Sequence, residues 1–191
     1  MKLLPTEIPD IVAIQPDVYE DTRGYFLESF NKERFTKHGL ETHFVQDNIS
    51  RSAGKTIRGL HYQVGVKAQG KLCEVITGKV LDIAVDIRFG SPTFGRYVAH
   101  ELTEENHTQL WIPPGFAHGF SVLSDYAVFH YKCTEFYSRE HERTIIYNDP
   151  QININWGIDH PIISQKDLTG KSFDEIGRDF IYSEMETQKW R

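Results

Sequence analysis

The chain has 191 residues and a mass of 22.1 kDa, with 39% hydrophobic, 25% charged and 13% aromatic residues. This length fits one domain that can bury a core without disulfides, and the aromatic content excludes a disordered or low-complexity protein. The formal net charge of -6 excludes a general surface for nucleic acid or anionic membrane. An anionic ligand would therefore have to be held by a local group of cations.

The cysteine content and the N-terminus bear on the compartment. The chain has two cysteines, Cys73 and Cys133, and both lie in apolar runs where a reduced thiol packs as a small hydrophobic group. We therefore expect a protein of the reducing cytoplasm. Because Pro5 interrupts the only early apolar pair and no stretch approaches the roughly 20 apolar residues of a membrane span, we expect neither a signal peptide nor a transmembrane anchor.

Short strand-like runs separated by turn residues extend from Ile11 to about Tyr147. This spacing is typical of a β-sandwich or small barrel and not of alternating strands and helices, so we predict an all-β chain with few helices. The best early helix covers Asn31–Lys37, with Asn31 as its N-cap and Gly39 ending it. In the following run, 42–50, alternation gives one strand face the side chains Phe44, Gln46, Asn48 and Ser50, and we expect this polar face to contact solvent or a wet cavity.

Two later runs also alternate. After a tight turn at 77–79, Leu81, Ile83, Val85 and Ile87 share a face opposite Asp82, Asp86 and Arg88, which predicts a half-buried strand. In run 127–132, Phe129 and Tyr131 point one way, and His130 and Lys132 point the other. Beyond residue 150 the alternation is lost, and we predict one or two short helices within 174–191. We expect a single domain over 1–191, with a C-terminal tail, 171–191, of unknown role.

The nine histidines invite a search for a metal site. A metal site in a β-barrel usually has two histidines two residues apart on one strand face, whereas the residue at that distance from His61 is Gln63. A glutamine amide is a poor ligand for transition metals, and no HEXXH or CXXC spacing occurs. We therefore predict no metal.

Several side chains could carry acid–base chemistry. His61 lies in the strand-like run 58–63, Lys71 begins the next apolar run, and His118 follows a stiff turn at Pro113-Pro114-Gly115. Tyr131, with an ordinary pKa of about 10, could donate a proton to an enolate. Taken singly, each of these residues fits an ordinary structural role better than a catalytic one, because acid–base residues are defined by a geometry that the sequence does not show.

The combination of motifs is more informative. The chain contains, in order, DTRGYFLE (21–28), VQDNIS (45–50), RGLHYQ (58–63), AQGKL (68–72), VDIR (85–88), SPTFG (91–95), IPPGFAHGF (112–120), YKCT (131–134) and SQKD (164–167). These blocks resemble the signature blocks of dTDP-4-dehydrorhamnose 3,5-epimerases, over roughly residues 5 to 170. The resemblance implies a cupin-type jelly roll, a homodimer, and a reaction without metal or cofactor on a dTDP-4-keto-6-deoxy sugar.

The resemblance also implies roles for individual residues. His61 would be the base, oriented by the carboxylate of Asp167. Lys71 would stabilise the negative charge that develops on the C4 oxygen, and Tyr131 would return the proton from the opposite ring face. The implied substrate contacts are Arg23, Phe26, Glu28, Gln46, Asp47, Asn48, Arg58, His118, Tyr137, Glu142 and Lys166, with Tyr137 stacking on the thymine ring. A segment around 23–28 would reach into the site of the partner subunit.

One feature of this assignment conflicts with simple strand geometry. Strict alternation puts Arg58 and His61 on opposite strand faces, so both can contact one substrate only if the strand is bulged or twisted at Gly59.

Three alternatives remain open. An epimerase of the same fold could act at C3 or C5 alone, because that choice depends on the shape of the pocket. A metal-dependent cupin would lose its activity on chelation. A non-catalytic sugar-nucleotide-binding protein would have no use for an acid and a base together.

Overall fold

The computed structural model describes residues 1–183 and consists mainly of β-strands. The strands are β1 (Lys2–Pro5), β2 (Val12–Gln15), β3 (Val18–Asp21), β4 (Gly24–Leu27), β5 (Gln46–Ala53), β6 (Ile57–Gln63), β7 (Lys71–Thr77), β8 (Lys79–Asp86), β9 (Tyr97–Thr103), β10 (Gln109–Ile112), β11 (Phe116–Val122), β12 (Tyr126–Cys133) and β13 (Glu142–Thr144). The helices are α1 (Lys32–Lys37) and α2 (Gln165–Leu168), with short 3₁₀ turns at Gly65–Lys67 and Phe173–Glu175.

The strands form two antiparallel sheets that face each other. One sheet has the order β1-β2-β10-β7-β12-β5, the other has the order β13-β6-β11-β8-β9, and β3 pairs with β4 in a separate hairpin. From β5 to β12 the chain crosses repeatedly from one sheet to the other, so that β5-β12-β7-β10 form four strands of one sheet and β6-β11-β8-β9 form four strands of the other. This is the connectivity of a jelly roll, so the predicted fold class is confirmed.

The main core lies between the sheets. Phe129 and Val75 of the six-stranded sheet pack with Phe120 and Val80 of the five-stranded sheet, and the Phe120 and Phe129 rings stack with centroids 4.3 Å apart. Tyr131 packs at the edge of this cluster, whereas His130 points to the other side of β12 and hydrogen-bonds Glu74. The predicted alternation of β12 is therefore confirmed.

The outer face of the five-stranded sheet is also covered. Ile83 and Val85 of β8 pack there against Ile145, Trp156 and Phe173 from the C-terminal third of the chain. The prediction that β8 is half-buried was therefore wrong. The predicted alternation of side chains between the two faces was right, but Asp82 and Asp86 on the opposite face are both 0% exposed.

Helix α1 follows the sequence prediction closely. Asn31 caps it by accepting a hydrogen bond from the Arg34 amide, and Gly39 follows it with φ +71°. The helix buries Phe35 against Trp111 and Leu72 on the outer face of the six-stranded sheet. The strand predicted from Thr42 instead begins at Gln46 and extends to Ala53.

The C-terminal segment differs from the prediction. Within the predicted helical region, the described part, 174–183, contains only the end of the 3₁₀ turn at Phe173–Glu175, and the rest of the prediction lies outside the described residues. The segment instead runs back along the domain, where backbone hydrogen bonds join Phe89 to Phe180 and Tyr182. Among residues 1–183 no helix is long and apolar enough to span a membrane.

Candidate active site

The site depends on an irregularity in β6. His61 pairs with His118 on β11, but Arg58 pairs with Phe120, so three steps along β6 correspond to two along β11. Gly59 lies at this bulge with φ +125°, and a Cβ there would come within 2.5 Å of the Gly119 Cα. Only glycine therefore fits, and the bulge allows Arg58 and His61 to line the same pocket, as the sequence required.

His61 forms a short hydrogen bond with a buried carboxylate. Its Nε2 lies 2.6 Å from Asp167 Oδ1, and Asp167 Oδ2 accepts a longer bond from the Gly59 amide. Ser164 caps α2 and thereby fixes the position of Asp167. Burial raises the pKa of Asp167. The hydrogen bond and electrostatic interaction with His61, together with hydrogen bonds from the Gly59 amide and Ser164, outweigh burial and leave this pKa below its ordinary value. An ionised Asp167 requires the proton on Nε2, which leaves Nδ1 as the basic nitrogen of the ring.

The pocket between the two sheets has two adjoining parts, and His61, Lys71 and Tyr131 line both of them. One part is also lined by Gln46, Asn48, Tyr62, Gln63, Gln69, Cys133, Tyr137 and Glu142. The other part is completed by Ser50, Arg58, His118 and Phe120. The polar face predicted for the strand at 42–50 thus faces this cavity and not bulk solvent.

His61 faces two chemically different groups across the pocket. His61 is on β6 of one sheet, whereas Lys71 and Tyr131 are on β7 and β12 of the other sheet. The Lys71 ammonium nitrogen lies 5.9 Å from the centroid of the Tyr131 ring. Burial, with a smaller effect from Cys133 and Cys73, raises the pKa of Tyr131 to about 12, so its phenol keeps its proton at neutral pH.

His118 is more deeply buried than His61 and contacts three polar groups. Its Nε2 lies 2.7 Å from Asp82 Oδ1 and 3.7 Å from the Cys73 sulfur, and its Nδ1 lies 3.5 Å from Lys71 Nζ. Burial lowers the pKa of His118, and although Asp82 acts in the opposite direction, the net pKa stays below the ordinary value. The sequence did not single out Asp82, whose only signal was an acidic residue on a strand face that proves to point inward.

A chain of hydrogen bonds forms the outer end of the pocket. Gln46 accepts a bond from the Tyr137 amide and donates to Asn48, while the Tyr137 hydroxyl bonds Glu142, which also pairs with Lys166. Tyr137 is 55% exposed, so its ring is free to stack on a planar ligand. The structure therefore brings all five of these predicted residues together.

Gln63 is a site residue whose role was not foreseen. Its side chain donates to the carbonyl oxygens of Lys67 and Phe136 and accepts a bond from the Ser138 amide. The sequence identified Gln63 only as a residue that does not bind metal. The structure shows that it fastens the loop carrying Tyr137 to β6.

Some predicted substrate contacts do not lie in this pocket. Asp47 is on the outer face of β5, where alternation places it opposite Gln46 and Asn48, and it pairs with Lys132. Its side chain therefore lies outside the pocket between the sheets, and its contact with substrate stays a prediction.

The predicted contacts of the N-terminal segment are also separate from the pocket. Arg23 and Phe26 line a hollow on the β3–β4 hairpin, with Arg23 paired to Asp21, and Glu28 hydrogen-bonds Asn31. Within one subunit these residues do not meet His61.

One cluster has the composition of a metal site. Within residues 1–183, the potential ligand atoms of Cys73, Asp82 and His118 lie within 4.8 Å of one another. His61 and Gln63 are not part of this group, and the contacts given above already engage its members with each other and with Lys71. The absence of a metal requirement stays a prediction.

Comparisons with known proteins agree with the site. The family model described as dTDP-4-dehydrorhamnose 3,5-epimerase matches residues 5–175. A dTDP-4-dehydrorhamnose 3,5-epimerase of Pseudomonas aeruginosa is 52% identical over 175 residues, covering 91% of this chain and 96% of that protein. The crystal structure of a dTDP-6-deoxy-D-glucose-3,5-epimerase from Legionella pneumophila in complex with dTDP-4-keto-L-rhamnose is 46% identical, with TM-score 0.91, and the match covers 95% of this chain and 98% of that one.

A more distant relative of known structure is described as an epimerase of one carbon only. A 3′-monoepimerase from Streptomyces bikiniensis, in complex with dTDP-quinovose, is 29% identical with TM-score 0.88, covering 97% of this chain and 96% of that one. The fold alone therefore does not distinguish inversion at one carbon from inversion at two, and the difference in identity favours two.

Proposed function

Because this chain belongs to the dTDP-4-dehydrorhamnose 3,5-epimerase family and is an isomerase, we propose that His61, Lys71 and Tyr131 carry out its two inversions. The reaction converts dTDP-4-dehydro-6-deoxy-D-glucose to dTDP-4-dehydro-L-rhamnose, in dTDP-L-rhamnose biosynthesis. The observation that carries this proposal is the placement of His61 on one sheet and of Lys71 and Tyr131 on the facing sheet of the same pocket.

The first half of each inversion removes a proton. C3 and C5 both lie α to the C4 carbonyl, so His61 Nδ1 takes the proton and the electron pair of the C–H bond moves onto the C4 oxygen. Asp167 holds the imidazole in the required tautomer and stabilises the imidazolium that forms. Lys71 stabilises the enolate oxygen, an interaction that strengthens only as negative charge develops.

The second half returns a proton to the other ring face. The Tyr131 hydroxyl donates it to carbon, the enolate electron pair forms the new C–H bond, and a tyrosinate remains. His61 and Tyr131 then recover their starting protonation states by exchange with solvent. A phenol that stays protonated at neutral pH suits this role, since it is a donor throughout the working range.

The nucleotide occupies the outer end of the pocket in this proposal. Tyr137 stacks on the thymine ring, held by its own hydroxyl bond to Glu142. Arg58 and Lys166 bind the diphosphate and provide the local positive charge that the acidic chain otherwise lacks.

The N-terminal hairpin completes the site of a second subunit in this proposal. In the described part of the chain the hairpin pairs with no other strand, and Tyr19, Tyr25 and Phe26 on it are 63%, 56% and 68% exposed. An isolated two-stranded hairpin with exposed aromatic residues is marginally stable alone and is stabilised by covering. We propose a homodimer in which Arg23, Phe26 and Glu28 reach the partner's pocket. The free, buried thiols of Cys73 and Cys133 suit a reducing cytoplasm.

Substitutions at His61 and Tyr131 separate the two halves of the reaction. His61→Asn should lose solvent exchange at both carbons by about 10²- to 10⁴-fold, because no base remains. Tyr131→Phe should slow inversion more than it slows exchange, since abstraction survives and only delivery to the far face is lost.

The matched control is His130→Asn, which makes the same exchange of side chains on the outer face of β12. It should keep both exchange and inversion. Near wild-type exchange by His61→Asn would show that the base is assigned to the wrong residue.

A further inference from the structure

The buried carboxylate of Asp82 has no part in the mechanism above, although it lies between the two sheets, beside the pocket. It is 0% exposed, and its strand neighbours Val80 and Ala84 belong to the apolar cluster between the sheets. One oxygen hydrogen-bonds His118, and the other, Oδ2, is buried and has no hydrogen-bond partner among residues 1–183. Because an unsatisfied buried carboxylate oxygen is destabilising, its presence here requires an explanation beyond packing.

If Asp82 is ionised and Lys71 is protonated, the donors and acceptors around His118 fit one arrangement. An ionised carboxylate only accepts hydrogen bonds, so His118 Nε2 must carry the proton that bonds Asp82. Burial keeps the pKa of His118 low, so the ring has a single proton and Nδ1 is left as an acceptor. The Lys71 ammonium group can only donate, and it lies 3.5 Å from this Nδ1.

We propose that Asp82 is a positioning residue that, through the tautomer of His118, holds the Lys71 ammonium group at the place where the enolate oxygen forms. The inference rests on the proposed function, because it gives Lys71 the role assigned there. In the reverse tautomer, an Nδ1–H would point at an ammonium group and repel it. The site therefore contains two carboxylate–histidine pairs with different tasks: Asp167 orients a base, and Asp82 orients the group that stabilises the enolate.

The first test needs no substitution at Asp82. Nitrogen-15 NMR of wild-type enzyme with labelled histidine distinguishes the two neutral tautomers from the imidazolium, and a His118→Gln sample assigns the signal. A neutral ring with its proton on Nε2 at pH 7.5 supports the proposal. A proton on Nδ1, or on both nitrogens, would overturn it, whatever the activity of the enzyme.

The second test is a double-mutant cycle between Asp82 and Lys71. Asp82→Asn keeps the shape of the side chain, and we expect it to lower kcat by about 10- to 100-fold, by analogy with the partners that orient metal-binding histidines. In a Lys71→Met background the same substitution should cost less than about 2-fold, because the group it positions has been removed. Equal losses in the two backgrounds would overturn the proposal and assign Asp82 a general structural role.

A result for Lys71→Met alone distinguishes this proposal from the mechanism on which it rests. A fully active Lys71→Met enzyme would contradict the role of Lys71 in the proposed function and would remove the kinetic basis of the inference. The tautomer measurement would still decide whether Asp82 orients His118.

Discussion

Single residues in this pocket owe their chemistry to how deeply the fold buries them. The side chain of His61 is 28% exposed and that of His118 is 7% exposed, although each bonds a buried carboxylate. His61 can therefore exchange a proton with substrate or solvent, whereas burial between the sheets lowers the pKa of His118 and keeps its ring neutral. The sequence identified both histidines, but it could not separate their roles, because burial depends on the facing sheet.

The burial of His118 predicts a pH dependence of stability. Its pKa is lowered in the folded protein, so below the ordinary value of about 6.5 the unfolded chain binds a proton that the folded protein does not. This group should therefore reduce the free energy of unfolding by up to about 1.4 kcal/mol per pH unit as the pH falls below about 6.5.

Urea unfolding of wild type and His118→Gln at pH 7.5, 6.5 and 5.5 measures this contribution. We expect the wild type to lose more stability than the variant between the two lower pH values. Equal losses would show that His118 binds its proton in the folded protein as readily as in the unfolded chain.

At the scale of elements, the sequence predicted the features that follow from local chemistry. The bulge at Gly59 could be inferred, because Arg58 and His61 had to share a pocket and glycine permits the conformation. Helix α2 was missed because four residues are too few to show a helical period, although Ser164 and Asp167 have the spacing of a helix start. The burial of β8 was missed because a distant segment, 145–176, covers the sheet.

The loop that carries Tyr137 gives a prediction at this scale. Gln63→Leu removes the hydrogen bonds to Lys67, Phe136 and Ser138 and leaves those backbone groups unpaired. Since the loop positions Tyr137 and not the reacting groups, KM for the sugar nucleotide should rise by about 10-fold with a smaller change in kcat, which corresponds to about 1.4 kcal/mol of binding.

Val66→Ser is the matched control, because Val66 is 84% exposed and lies in the adjacent 3₁₀ turn. In steady-state kinetics this control should have the kcat and KM of the wild type. A Gln63→Leu enzyme with wild-type KM would show that the loop holds Tyr137 without Gln63.

The whole molecule is expected to be a dimer with shared sites. Light scattering should give about 44 kDa, twice the chain mass of 22.1 kDa. Arg23→Ala and His61→Asn should each be inactive alone, because each destroys both sites of its own dimer. When the two variants are unfolded and refolded together, each mixed dimer should contain one site with an intact His61 and an intact Arg23 from the partner subunit.

Such a mixture should recover about one quarter of wild-type activity, because half of the dimers are mixed and each has one complete site. If the hairpin serves its own subunit, every site carries one of the two substitutions and no activity returns. An active monomer of 22.1 kDa would contradict the dimer altogether.

The central claim is that one base and one acid invert two carbons in turn. C3 and C5 lie on either side of the C4 carbonyl, and proton transfer needs about 2.6–3.2 Å between heavy atoms, so one rigid pose cannot serve both. The most direct measurement is NMR of the sugar protons during turnover of dTDP-4-dehydro-6-deoxy-D-glucose in heavy water. We predict a singly labelled species at early times and deuterium at both C3 and C5 at long times. Deuterium confined to one carbon after many turnovers would contradict this account and identify a mono-epimerase.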